Sequence, residues 1–118
     1  MHAYPLVLLA NEPSAYRSLL ASELPFLRHD VRFLEIDPAD LEFSVAILHP
    51  SVVVCSRALA LTDDAVVAVL TLWMDEIGTS LQTSTETIVN PRLSQILGAI
   101  DRALSAHSPG DSAFNPVG

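Results

Sequence analysis

The chain has 118 residues, half of them apolar, a formal net charge of −8 and a single cysteine. That length supports one domain with one core. The acidic balance excludes a nucleic-acid or anionic-membrane surface, which needs clustered cations, and all six basic residues here are arginines. One cysteine excludes an internal disulfide and fits a reducing compartment.

The N-terminal "MHAYPLVLLANEP" has no basic n-region, and its apolar run is too short for a signal-peptide core or a membrane span, so a cytoplasmic protein is expected. "PLVLLA" (5–10) reads as a strand covered on both faces. A helix is expected to follow, capped by Asn11 with Pro13 in its first turn. Tyr16, Leu19, Leu20 and Leu24 would form its stripe and Pro25 would end it near Leu24. "DVRFLEI" (30–36) alternates like a strand near the sheet edge. "DPADLEF" starts a second helix: Asp37 as N-cap, Pro38 at N1, Asp40 resembling a capping box, and Leu41, Val45 and Leu48 as the stripe. His49-Pro50 stops it, and "SVVVC" is the third strand.

A short helix or turn is expected near 58–65 and a strand across 67–73, followed by a turn at Asp75, Glu76 and Gly78. Residues 79–89, rich in β-branched side chains, read as an exposed edge strand or small hairpin. A last helix is capped by Asn90 with Pro91 at N1, and buries Leu93, Ile96, Leu97, Ile100 and Leu104. The domain is expected to occupy 1–106, and the Pro/Gly/Ser-rich 107–118 to form a flexible tail. The order points to an α/β three-layer sandwich on a mostly parallel five-stranded sheet, its last strand antiparallel.

Over about residues 4–57, and by position over 90–106, the chain resembles a response-regulator receiver domain. That resemblance implies a flavodoxin-like sheet of order 2-1-3-4-5, here without the fourth helix. A receiver's first strand ends in two acidic residues that hold Mg²⁺; this chain has Asn11 and Glu12. The receiver's third strand carries the phosphoacceptor aspartate, and "PSVVVCS" puts Ser56 in its place. The receiver lysine has no counterpart, because the chain contains none. Phosphoaspartate chemistry needs a carboxylate nucleophile, a well-held Mg²⁺ and a cation on the phosphoryl group. The resemblance therefore implies a degenerate receiver-like module with the phosphorelay removed.

The remaining candidates have bland readings beside functional ones. Cys55, after three valines, reads as a small core residue; a phosphatase-type C-x₅-R loop would need arginine at 61, where Leu61 stands. Ser56 and Arg57 either finish a loop or, with Asn11 and Glu12, bind an anion at the crevice between the first and third strands. The four histidines are scattered, so no metal and no cofactor are expected. Trp73 and Met74 are candidate interface residues. The expected function is a non-catalytic regulatory or protein-interaction module, forming a homodimer. The alternative is a small-anion or nucleotide sensor at Asn11, Ser56 and Arg57. Thiol or serine chemistry at Cys55 or Ser56 would make it an enzyme instead.

Overall fold

A computed structural model describes residues 4–57, 68–76, 78–83 and 85–106. The chain runs β1 (Leu6–Ala10), α1 (Ser14–Leu27), β2 (Arg32–Glu35), a 3-10 turn (Pro38–Asp40), α2 (Leu41–Leu48) and β3 (Val52–Cys55). After residues 58–67 come β4 (Ala68–Met74), β5 (Thr79–Gln82), β6 (Thr87–Val89) and α3 (Leu93–Ala106). The six strands form one sheet in the order β2-β1-β3-β4-β5-β6. The pairs β1–β2, β1–β3 and β3–β4 are parallel; β4–β5 and β5–β6 are antiparallel.

The sheet is thus mixed and six-stranded, where five mostly parallel strands were expected. The difference lies in 79–89. Thr83 folds that segment back, its hydroxyl accepting from the amides of Thr85 and Glu86 at 3.2 and 3.1 Å. One polar, β-branched stretch therefore gives two short strands. Four residues separate β4 from β5 (75–78), so the connection turns back at once and the receiver's fourth helix has no room. Gly78 makes that turn at φ +148°, and a Cβ there would run into the Asn90 side chain. The expected short helix or turn near 58–65, the start of the fourth strand at 67 and the 107–118 tail lie outside the described residues.

β1 and β3 are buried along their whole length, which is why they read as unbroken apolar runs. Their two faces serve two clusters. Val7, Leu9, Val52, Val54, Leu70 and Leu72 pack with Leu20 and Leu24 of α1 and Ile96, Leu97 and Ile100 of α3. On the other face Leu6, Leu8, Ala10, Val53 and Cys55 pack with Leu41 and Val45 of α2.

Three helix ends differ from the sequence reading. Pro13, not Asn11, stands at the N-cap of α1, and Pro25 lies inside the helix rather than at its end. The last turn survives the missing N–H because it is anchored from outside: Arg28 Nε reaches both carboxylate oxygens of Asp101 on α3 at 3.1 Å. Leu19, expected in the stripe, is exposed, and so is much of Leu48. Asn90 is no helix cap. It adopts a left-handed φ of 49° and its Oδ1 accepts from Thr79 N at 3.1 Å, bracing the base of the hairpin. Capping of α3 falls to Gln95, whose Oε1 accepts from Arg92 N at 2.8 Å. Asp37 does cap, its carboxylate accepting from Ala39 N at 2.9 Å, though the turn it opens is 3-10 before α2 begins.

Candidate functional site

Strand β1 sends its chain outward to β2, and β3 lies on its other side. The crevice at the carboxyl ends of β1 and β3 is therefore the switch point of the parallel part of the sheet. The register sets Ala10 beside Cys55, which brings the loops that follow, Glu12 and Ser56-Arg57, together.

Ser56 is the tie between them. Its hydroxyl accepts from Glu12 N at 2.7 Å and donates to Leu72 O of β4 at 2.5 Å. One side chain thus links the ends of β1, β3 and β4. Arg57 Nη2 donates to Glu12 Oε1 at 3.2 Å, and the arginine side chain is 80% exposed. An exposed pair of that kind contributes little to stability, on the order of 0–1 kcal/mol. Its effect is on charge: the guanidinium is matched by a carboxylate.

A cleft of about 380 Å³ opens on the α2 side of this ridge, lined by Glu12, Asp37, Pro38, Glu42, Ser56 and Arg57 among others. A second, of about 420 Å³, opens on the β4 side between Glu12, Pro13, Ser56, Arg57, Trp73 and Met74. In the first cleft three carboxylates face one guanidinium, so its field favours a cation. Among the described residues no group of three or more His, Cys, Asp or Glu is placed to hold a metal ion.

The candidates divide accordingly. Glu12, Ser56 and Arg57 come together as a unit. Trp73 and Met74 flank the same ridge, and the β5–β6 hairpin continues the sheet beyond β4. Met74 is half exposed and Trp73 partly buried. Asn11 does not join the site. It is fully buried, lines neither cleft, and among the described residues neither its Oδ1 nor its Nδ2 has a hydrogen-bond partner. Cys55 is buried, its Sγ lies 3.2 Å from Arg57 O, and burial pushes its thiol up, which disfavours the thiolate at neutral pH.

Sequence reasoning missed Asp37, Pro38 and Glu42 as cleft residues. The signal was present: Asp37 follows β2, and in the order β2-β1-β3 every loop after a parallel strand opens on the same end. Compared with known proteins, the chain matches no family model, no curated protein and no solved structure.

Proposed function

We propose that this protein is a non-catalytic regulatory or protein-interaction module, receiver-like in its ancestry, working in the cytoplasm without phosphorylation. The observation that carries this reading is the Ser56 hydroxyl. A serine nucleophile needs a base to take its proton. Ser56 instead accepts from one backbone amide and gives its proton to a carbonyl. Cys55, the other possible nucleophile, is buried with its thiol pushed up. What remains at the end of the sheet is shape and charge, suited to recognition.

The test is exposure to acetyl phosphate and Mg²⁺ followed by intact mass measurement. No added phosphoryl group is expected; stoichiometric phosphorylation would overturn the reading. Millimolar Mg²⁺ at fixed ionic strength is expected to leave the melting temperature unchanged.

The anion or nucleotide reading has less support. A phosphate in the α2-side cleft would meet Glu12, Asp37 and Glu42 against one arginine already paired.

Self-association belongs to the same proposal. β6 is a sheet edge with Val89 exposed, and paired edges in a two-fold contact are a simple closed solution. Light scattering at micromolar concentration decides: a mass near the single-chain 12.7 kDa rejects the homodimer. If a dimer forms, Trp73→Ala is expected to weaken it, since Trp73 and Met74 border the second cleft.

A further inference from the structure

We propose that the outer face of α2, with the acidic cleft at its N-terminal end, docks a basic segment of a partner protein that carries apolar anchors. This rests on the interaction-module reading and names the partner's chemistry.

The α2 sequence, LEFSVAIL, is apolar on nearly every side. Such a helix normally has neighbours all round. Here Leu41 and Val45 are buried against the sheet, while Phe43 is 71% and Ile47 56% exposed on the far side. Residues four apart stand on one side of a helix, about 5–6 Å between Cβ atoms, so these two form one patch. Leu34 adds to the same layer. It pairs with Leu8, which packs under α2, so both point to that face of the sheet, and Leu34 is 42% exposed.

The charge at the α2 end of this patch is acidic, while Arg32, which pairs with Leu6 of the same cluster, stands on that sheet face beside Leu34. From Asp37 to Leu48 the chain carries Asp37, Asp40 and Glu42 and no lysine or arginine. These three open the turn and the helix, whereas Glu35, in register with Leu9, faces α1 and pairs there with Arg17. The adjoining cleft adds Glu12, against Arg57. The exposed apolar residues of α1, Leu19, Phe26 and Leu27, have a different setting, with Arg17, Glu23 and Arg28 on the same helix or at its end.

A second copy of the chain fits this face poorly. It would bring the same carboxylates against one another in a protein of net charge −8. A cationic partner gains from both features. An eight-residue helix is about 12 Å long, so a segment of two or three turns laid along it spans the patch. Its apolar side chains would cover Phe43 and Ile47, and one lysine or arginine would enter the cleft of about 380 Å³.

The test uses the full chain and a dye-labelled synthetic helix of leucine and lysine at amphipathic spacing, followed by fluorescence anisotropy. Two control peptides replace lysine by glutamate or leucine by serine. The leucine-lysine peptide is expected to bind one to one, more weakly as salt rises, and both controls to fail. The double variant Phe43→Ser, Ile47→Ser is expected to lose at least tenfold in affinity while melting like the parent, since both side chains are exposed. Asp40→Asn with Glu42→Gln is expected to flatten the salt dependence. Phe26→Ser on α1 is expected to change nothing. Equal binding to the double variant, equal loss in Phe26→Ser, or binding of the glutamate peptide overturns the proposal. So does a fall in molecular mass of the double variant by light scattering, which would assign the face to a second copy. Failure of the lysine peptide to bind overturns the docking surface alone, because the non-catalytic reading is decided separately by mass after acetyl phosphate.

Discussion

Two fourteen-residue helices, α1 and α3, cover one face of the sheet; on the other face the eight-residue α2 is the only helix among the described residues. The first face is closed. Leu9, Leu20, Leu24, Leu72, Ile96 and Ile100 are fully or almost fully buried there. The second is open at its margins: Leu34, Phe43 and Ile47 are exposed, and β4 alternates buried Ala68, Leu70 and Leu72 with partly exposed Val69, Thr71 and Trp73. Both clefts lie by loops on or beside that second face. The larger cluster, on the α1/α3 side, holds most of the core, although Leu19, Phe26 and Leu27 are exposed on the outer surface of α1; the smaller cluster, on the α2 side, leaves Leu34, Phe43 and Ile47 exposed beside the acidic turn, where they can meet another molecule.

The sharpest way to break this comparison is to delete the same side chain on each face. Leu72→Ala, in the large cluster, is expected to cost about 4–5 kcal/mol, and Leu41→Ala, in the small one, about 2–3 kcal/mol. The smaller cluster has an open margin through which it can relax around the lost atoms. Urea denaturation measures both, and equal losses would mean that the faces are not built differently.

Asn11 gives the next largest effect, with the opposite sign. A buried carboxamide with no partner among the described residues for either polar atom costs about 1–3 kcal/mol of desolvation. Asn11→Leu, of similar length, is therefore expected to stabilise the fold by about that amount. A loss of stability instead would show that the carboxamide is hydrogen-bonded in solution, for instance by a buried water.

How much of this was legible in the sequence follows the same division. β1 and β3 were readable because burial on both faces leaves no polar residue in "LVLLA" or "VVVC". α3 was readable because it is the most amphipathic helix, polar outside and apolar at Ile96, Leu97 and Ile100. Its cap was misplaced because Asn90-Pro91 looks like a helix start, whereas Asn90 is taken by a tertiary contact to Thr79. Pro25 was read as a stop because local sequence does not show the Arg28–Asp101 clamp, whose partners are 73 residues apart. Of the site, Glu12, Ser56 and Arg57 were legible because strand ends mark the crevice. Asp37 and Glu42 follow from the same rule, since the expected order 2-1-3 already sets β2 beside β1, but the local N-cap pattern of "DPAD" hid that role.

Ser56→Ala probes the ridge between the clefts. It leaves the Glu12 amide without its acceptor and the Leu72 carbonyl without its donor, at positions that are exposed and part-buried respectively. The expected cost is about 1–2 kcal/mol, less than either leucine deletion, because water can reach part of the gap. Hydrogen exchange should show the Glu12 amide losing protection while amides of β1 keep theirs. If the Glu12 amide stays protected, the ridge is held by something other than the Ser56 hydroxyl.

The smallest effect sits at the β2 edge and reports on how α1 is fastened to that edge strand. Glu35 ends β2; its Oε2 accepts from Ser18 Oγ at 2.8 Å and from Arg17 Nε at 3.0 Å, both on α1. The Ser18 hydrogen bond first, and Arg17 second, hold its carboxyl below the ordinary glutamate value. A folded-state pKa that is lowered means that the unfolded chain binds more protons between the two values. The stabilisation from Glu35 is therefore complete above the ordinary glutamate pKa and disappears as pH falls through the lowered one. Glu35→Gln keeps the shape and removes this dependence. The parent is expected to exceed the variant slightly in urea midpoint at neutral pH, and the two curves to converge in acid. The gap should be small and should shrink with salt, because the carboxylate is in contact with solvent. A gap that widens as pH falls would reverse the sign and show that Glu35 is not fastened to α1 by these two donors.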